Sequence, residues 1–177
     1  MQAIVLTGFA RAGKDTVANF LSKEFGYKKV VHSDMISVEL RKRHMQVSKT
    51  NMAILGDILR KEKGMDAIAQ LVWNFLQKKK YKKVVLVGAR SWQEILFYKK
   101  KIKNLKLIAV TAPIELRFKR RPNKKMNLKD FKKRDRIDIK NKGLDKVIAR
   151  ADFVLSNSGK LSDLKQKSRE LMYNIYK

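Results

Sequence analysis

The residue types best able to do chemistry stand together at 8–16, where Gly8, Phe9, Ala10, Arg11, Ala12, Gly13, Lys14, Asp15 and Thr16 follow the apolar run Ala3, Ile4, Val5, Leu6. A strand that breaks into a glycine-bounded loop, then a lysine, then a helix carrying Val17, Phe20 and Leu21 wraps main-chain N–H groups around a polyphosphate. Gly8 and Gly13 allow backbone geometry and close approach that a Cβ would hinder. The helix N-terminus adds partial positive charge and unpaired donors, and Lys14 is placed to reach the β and γ phosphates. The plainer alternative is a glycine turn between strand and helix. The flanking strand and helix favour the phosphate reading, with Gly8, Ala10, Arg11, Ala12, Gly13, Lys14, Asp15 and Thr16 as nucleotide-binding residues. Asp15 stands where a Ser or Thr usually follows the lysine, and Thr16 comes one place later.

Holding such a loop requires alternating strands and helices, and the pattern supplies them. Strands are expected at 2–7, 29–31, 83–88, 105–111 and 152–155. The runs Val84-Val85-Leu86-Val87 and Leu107-Ile108-Ala109-Val110 are continuously apolar, as in parallel strands covered on both faces. Helices are expected at 14–25, 34–44, 50–63, 66–79, 92–101, 113–121, 128–137, 145–150 and 161–176. About fifty residues of helix separate the second and third strands, more than a crossover needs, and suggest a substrate-covering insertion. A second insertion, 117–142, holds 13 Lys/Arg against three Asp. Both emerge beyond the carboxyl ends of the strands, where an open parallel sheet binds ligands.

The 177 residues form one domain by length, with 44% apolar residues, enough for a core. The absence of cysteine excludes disulfides and thiolate chemistry. His32 and His44 lie apart with no compact acidic cluster, which argues against zinc. The chain enters a strand at once and has no apolar run of membrane-spanning length, so a soluble, cytoplasmic protein with no membrane partner is expected. The net charge of +27, from 43 basic and 16 acidic residues, sets up a strong positive field. Such a field attracts nucleotides, RNA or anionic surfaces. Runs such as Lys78-Lys79-Lys80 and Lys99-Lys100-Lys101 read first as solvated helix ends. RNA remains a possible but not favoured partner, since no aromatic-plus-basic RRM signature is present.

The chain resembles the P-loop nucleoside-monophosphate-kinase-like proteins, most of all archaeal adenylate-kinase-like and dephospho-coenzyme-A-kinase-like ones. The resemblance runs the full length. It rests on GFARAGKDT, on Ser33-Asp34-Met35, on LVGARS at 86–91, on the basic stretch from Arg117 to Arg136, and on ADFVLSNSG at 151–159. It implies a three-layer α/β/α fold whose five-stranded parallel sheet runs 2-3-1-4-5, with an acceptor-binding insertion at about 33–80 and a basic lid at about 117–142. It implies ATP and Mg²⁺ as cofactors, and transfer to a nucleoside monophosphate or another small phosphorylated acceptor such as dephospho-coenzyme A. An RNA-associated P-loop ATPase, or a catalytically weakened nucleotide-binding protein, is the alternative.

Phosphoryl transfer needs positioning and charge neutralisation more than covalent chemistry. Lys14 is expected to stabilise the transferred group and Thr16 to face the donor phosphates. Arg11 either touches them or lies on the surface. Asp15 is either a metal or water-positioning ligand or a helix-start carboxylate complementing the dipole. Asp34 either caps a helix together with Ser33 or serves as proton acceptor and magnesium ligand. Arg90, at the end of the third strand, is expected to clamp an acceptor phosphate. Val87 occupies the position where similar proteins carry a magnesium-organising Asp. Arg121 and Arg134 are catalytic lid candidates, alongside Arg120 and Arg136. Arg117 is a lid or donor-base contact, and Asp135 reads as a counter-ion among these arginines. Asn157 and Gly159 resemble the loop that contacts the donor purine; otherwise they form a turn before the last helix.

Overall fold

Strands that are apolar on both faces must be covered on both, and the parallel sheet of this protein is. The computed structural model describes residues 1–121 and 125–176. In chain order these form β1 (Gln2–Thr7), α1 (Lys14–Phe25), β2 (Lys28–Val31), α2 (His32–Lys42), α3 (Lys49–Lys63), α4 (Ala67–Lys79) and β3 (Lys83–Val87). There follow α5 (Trp92–Lys101), β4 (Asn104–Thr111), α6 (Ile114–Lys119), α7 (Leu128–Lys142), α8 (Leu144–Ala149), β5 (Phe153–Ser156) and α9 (Leu161–Ile175). The five strands pair in parallel in the order β2-β3-β1-β4-β5, as expected. The central strand is aligned Leu6 with Val87 on one side and with Ile108 on the other.

Because side chains alternate along a strand, β1 sends Ala3 and Val5 into one core and Ile4 and Leu6 into another. The first core is closed by Val72 and Leu76 of α4, Ile95 and Tyr98 of α5 and Val147 of α8. The second is closed by Val17 and Leu21 of α1 and by Leu164 and Met172 of α9. A third cluster joins Ile36 and Leu40 of α2 to Leu55 and Leu59 of α3 and Ile68 of α4, in the long segment between β2 and β3. Among the described residues no helix is long and apolar enough to cross a membrane.

Two elements depart from the sequence expectation. Helix α2 starts at His32 and has no side-chain cap, so Ser33 and Asp34 lie within its first turn instead of capping it. His32, Ile36 and Leu40 form its buried stripe, and that register fixes where Asp34 points. Helix α7 runs on to Lys142 and ends at left-handed Gly143. Its buried positions are Phe131, Asp135 and Lys142, a largely polar face that gives hydrophobic periodicity little to register. Parallel pairing sets the carboxyl ends of β1, β3 and β4 along one edge, which therefore receives residues 8–13, 88–90 and 112.

Candidate functional site

The loop after β1 is shaped by backbone that side chains would obstruct. Gly8 has φ 134° and a Cβ there would run into the carbonyl of Val110. Gly13 has φ 112° and a Cβ there would meet the side-chain amide of Asn157. Between them Arg11 holds a left-handed φ of 65° with its side chain exposed. Gly13 caps α1 with no side chain, which leaves the first amides of that helix without a side-chain acceptor. Two braces hold the loop. The Asn157 amide, arriving from the end of β5, donates to the Ala12 carbonyl at 2.8 Å. Arg117 donates to the Ala10 carbonyl at 3.3 Å and is itself held by Asp135 at 2.6 Å.

Lys14 folds back so that its ammonium donates to the carbonyls of Gly8 at 2.7 Å and Phe9 at 2.9 Å. Burial lowers its pKa to about 8, with Arg90 and Arg117 pushing the same way and Asp15 and Asp138 opposing. An ammonium placed like this is short of negative charge and is stabilised by an incoming anion.

The facing wall is built on a buried carboxylate. Glu94, fully buried, completes a capping box with Ser91 at the start of α5 and accepts from the Arg90 main chain at 2.7 Å. Its other oxygen binds Arg60 of α3 at 3.0 Å. Arg60 also donates to the Gly56 carbonyl at 3.2 Å, while its buried Nε has no hydrogen-bond partner. Behind them His32 bridges the Val87 carbonyl at 3.0 Å and the Tyr98 hydroxyl at 2.9 Å. Since a carbonyl only accepts, Nδ1 carries the proton and Nε2 accepts from Tyr98. Burial pushes the His32 pKa down, which keeps the ring neutral. The Arg90 guanidinium meets Asp138 of α7 at 3.2 Å, and Asp138 also binds Lys142 at 2.9 Å. Burial alone would raise the Asp138 pKa, but Arg90 and Lys142 outweigh it and hold it below the ordinary range.

Between the two walls lies a cleft of about 1110 Å³. Ala10, Arg11, Gly13, Lys14, Asp15, Thr16, Arg90, Arg134, Asn157 and Gly159 all border it, together with Arg60, Asp57, Asp138, Lys142 and Arg120. Gly8 and Ala12 shape the loop from behind.

Four sequence expectations need correction. Asp34 is exposed and does not border the cleft, because the α2 register turns His32 and Ile36 inward instead. Asp15 borders it but its carboxylate is 70% exposed and pairs with Lys29 at 2.7 Å. The two are therefore not a ligand pair, and among the described residues no three metal-binding side chains come together. Arg121 lies against the Phe118 ring at 3.6 Å, donates to the carbonyls of Phe118 and Met126, and does not itself border the cleft. Arg117 is 5% exposed, committed to Asp135 and stacked near Phe9 and Phe131, where no purine could reach it. Asn157 borders the cleft while its side-chain amide donates to the loop. Arg120, which borders the cleft, donates to the Asn157 carbonyl at 3.2 Å while its buried Nη1 has no hydrogen-bond partner. Residues 122–124 of the expected lid lie outside the described residues.

Sequence reasoning missed Arg60, Glu94, Asp138 and Lys142. The Ser91-x-x-Glu94 spacing is a capping signal that could have marked Glu94. Asp138 and Lys142, four apart on one helix, form an i,i+4 pair that could have extended α7.

A model of the AAA domain family matches residues 4–141, and the chain belongs to that family. A UPF0200/UPF0201 protein of Archaeoglobus fulgidus is 30% identical over 100% of this chain and 57% of its own length, so the chain spans little more than half of that relative. A UPF0200 protein of Sulfurisphaera tokodaii is 30% identical over 99% of this chain and 98% of its own. Among solved structures, shikimate kinase from Bacteroides thetaiotaomicron superposes with a TM-score of 0.63 at 15% identity, covering 97% of this chain and 98% of that one. The likeness is one of fold, that of a P-loop kinase-like domain.

Proposed function

We propose that this chain is an ATP-dependent phosphotransferase that passes a phosphoryl group to a small phosphorylated acceptor. A nucleoside monophosphate or dephospho-coenzyme A represents the acceptor class. The observation that carries the reading is one cleft with cationic side chains on both of its walls. On the loop side these are Lys14 and Arg120, on the facing side Arg90 and Arg60, and Nη1 of Arg120 and Nε of Arg60 are buried without a hydrogen-bond partner. Buried donors without partners are costly, and a bound phosphate would supply what they lack.

In this reading the loop amides and Lys14 hold the donor phosphates, and Lys14 exchanges two carbonyls for phosphate oxygens. Arg90 and Arg60 grip the acceptor phosphate, and α2 to α4 serve as the acceptor-binding subdomain of a single domain. Arg120 and Arg134 act from the lid on charge developing in flight. Thr16 presents a hydroxyl beside the loop, a donor set that fits magnesium held mainly by phosphate oxygens and water. When bound, that ion would neutralise donor-phosphate charge. Asp138, which holds Arg90 across the cleft, gives way to the acceptor phosphate.

An acceptor screen with labelled ATP and magnesium tests the proposal: transfer to a small phosphorylated acceptor is expected, abolished by Lys14→Ala. ATP consumption without acceptor would overturn it. A second reading, nucleotide binding without turnover, is favoured by Val87, which offers only a carbonyl bound to His32. Tight ATP binding with no transfer to any acceptor would support it.

A further inference from the structure

A second hollow lies at the opposite edge of the sheet, at the amino ends of the strands. Its volume is about 910 Å³, and its walls include Met1, Trp73, Tyr81, Lys80, Lys101 and Lys103. Strand β1 is six residues long, so this hollow and the phosphate loop are separated by about 20 Å of strand. The surrounding charge is one-sided. Residues 78–106 carry ten lysines and a single carboxylate, Glu94, which is fully buried and held by Arg60. Among the described residues none of those ten lysines forms an ion pair. Helices α4 and α5 both end here, each in three consecutive lysines. Complementing a helix dipole needs fewer, and like charges gathered at these two helix ends, with Lys80, Lys101 and Lys103 on the walls of the hollow, repel unless a polyanion shares the surface.

Trp73 and Tyr81 are each partly exposed, and Trp73 packs its inner side on the core. Aromatic rings fixed from behind and flanked by cations are the elements of a base-stacking platform beside a phosphate track. We propose that this face binds single-stranded RNA, with lysines following the backbone and an unpaired base entering the hollow against Trp73 or Tyr81. A duplex keeps its bases stacked inside and would offer nothing to the hollow. An acidic peptide would use the lysines but not the rings. The inference is independent of the phosphotransferase reading.

The test is fluorescence anisotropy with a labelled single-stranded RNA 12-mer, without nucleotide, across a salt series. Lys80→Gln/Lys101→Gln/Lys103→Gln is expected to weaken binding about 10–100-fold at low salt and to lower the salt slope by about two. Trp73→Leu and, separately, Tyr81→Leu test stacking: at least one is expected to weaken binding about 5–100-fold with the slope unchanged. Far-ultraviolet circular dichroism and urea unfolding check that each variant keeps its fold and stability, since Trp73 and Tyr81 both pack against the core. The proposal is overturned if the RNA does not bind, or if both ring variants bind like wild type. It is also overturned if Lys132→Gln/Lys133→Gln/Lys140→Gln on α7 weakens binding as much as the hollow's lysines do. Equal affinity for a duplex, or equally effective competition by polyglutamate, would overturn it too.

Discussion

Asp138 of α7 holds the guanidinium of Arg90, at the end of β3, across the cleft at 3.2 Å. The arginine expected to clamp an acceptor anion thus already has a carboxylate, which an acceptor of the proposed kind would have to displace. Asp138→Asn removes that competitor. The expected result is a KM for the acceptor lower by about 3–10-fold with kcat within about threefold of wild type, because a ground-state contact has changed. A fall in kcat of about 100-fold instead would identify the Asp138 carboxylate as the group that handles the acceptor's proton. Steady-state kinetics with the acceptor varied distinguishes the two.

If Lys14 holds the donor phosphates as proposed, nucleotide binding is a proton-linked event. Its pKa is lowered from 10.5 to about 8 by burial first and by neighbouring cations second. A phosphate placed against the ammonium favours the charged form, so at pH 8.5 binding should take up a substantial fraction of a proton. Isothermal titration calorimetry in buffers of different ionisation enthalpy reads this directly, and Lys14→Met should abolish the uptake. Affinity should fall as pH rises above about 8. The stability of the unliganded protein should move the other way. Between about pH 8 and 10.5 the unfolded chain keeps a proton that the native one has released, so this group makes unfolding costlier as pH rises.

Much of the site was legible because glycine, lysine and apolar strands each admit few environments. Gly8 and Gly13 announce backbone that a Cβ forbids, and the runs 84–87 and 107–110 announce strands covered on both faces. The polar part was not legible, for a physical reason. Arg60 and Asp138 look in sequence like surface charges on helices, and only the fold brings Glu94 to the one and Arg90 to the other. Asp34 failed for the converse reason. Its position beside β2 was read well, but a helix starting two residues earlier rotated it into solvent.

Arg117 and Asp135 should behave as a buried structural pair and not as lid residues. Their side chains are 6% and 12% exposed and meet at 2.6 Å. Removing one partner leaves a buried charge, so Asp135→Asn should cost about 3 kcal/mol in urea unfolding. An apolar replacement of both, Arg117→Met with Asp135→Leu, should recover much of that loss. Nucleotide affinity should still fall in the double variant, because the hydrogen bond from Arg117 to the Ala10 carbonyl is gone.

Asn157 offers the sharpest test of how the loop is held. Its buried amide donates to the Ala12 carbonyl and lies where a Cβ on Gly13 would intrude. Asn157→Ala should cost about 1–2 kcal/mol of stability through the lost bond. Because the brace supports the nucleotide side alone, affinity for ATP should fall while the acceptor KM at saturating ATP stays within about twofold. Gly13→Ala should be worse, since it adds strain at φ 112° to the collision with Asn157. In Gly13→Ala/Asn157→Gly the collision is relieved but the strain remains, so the double variant should regain only part of the ATP affinity lost by Gly13→Ala. Complete recovery would mean that backbone conformation at residue 13 contributes nothing to the phosphate nest.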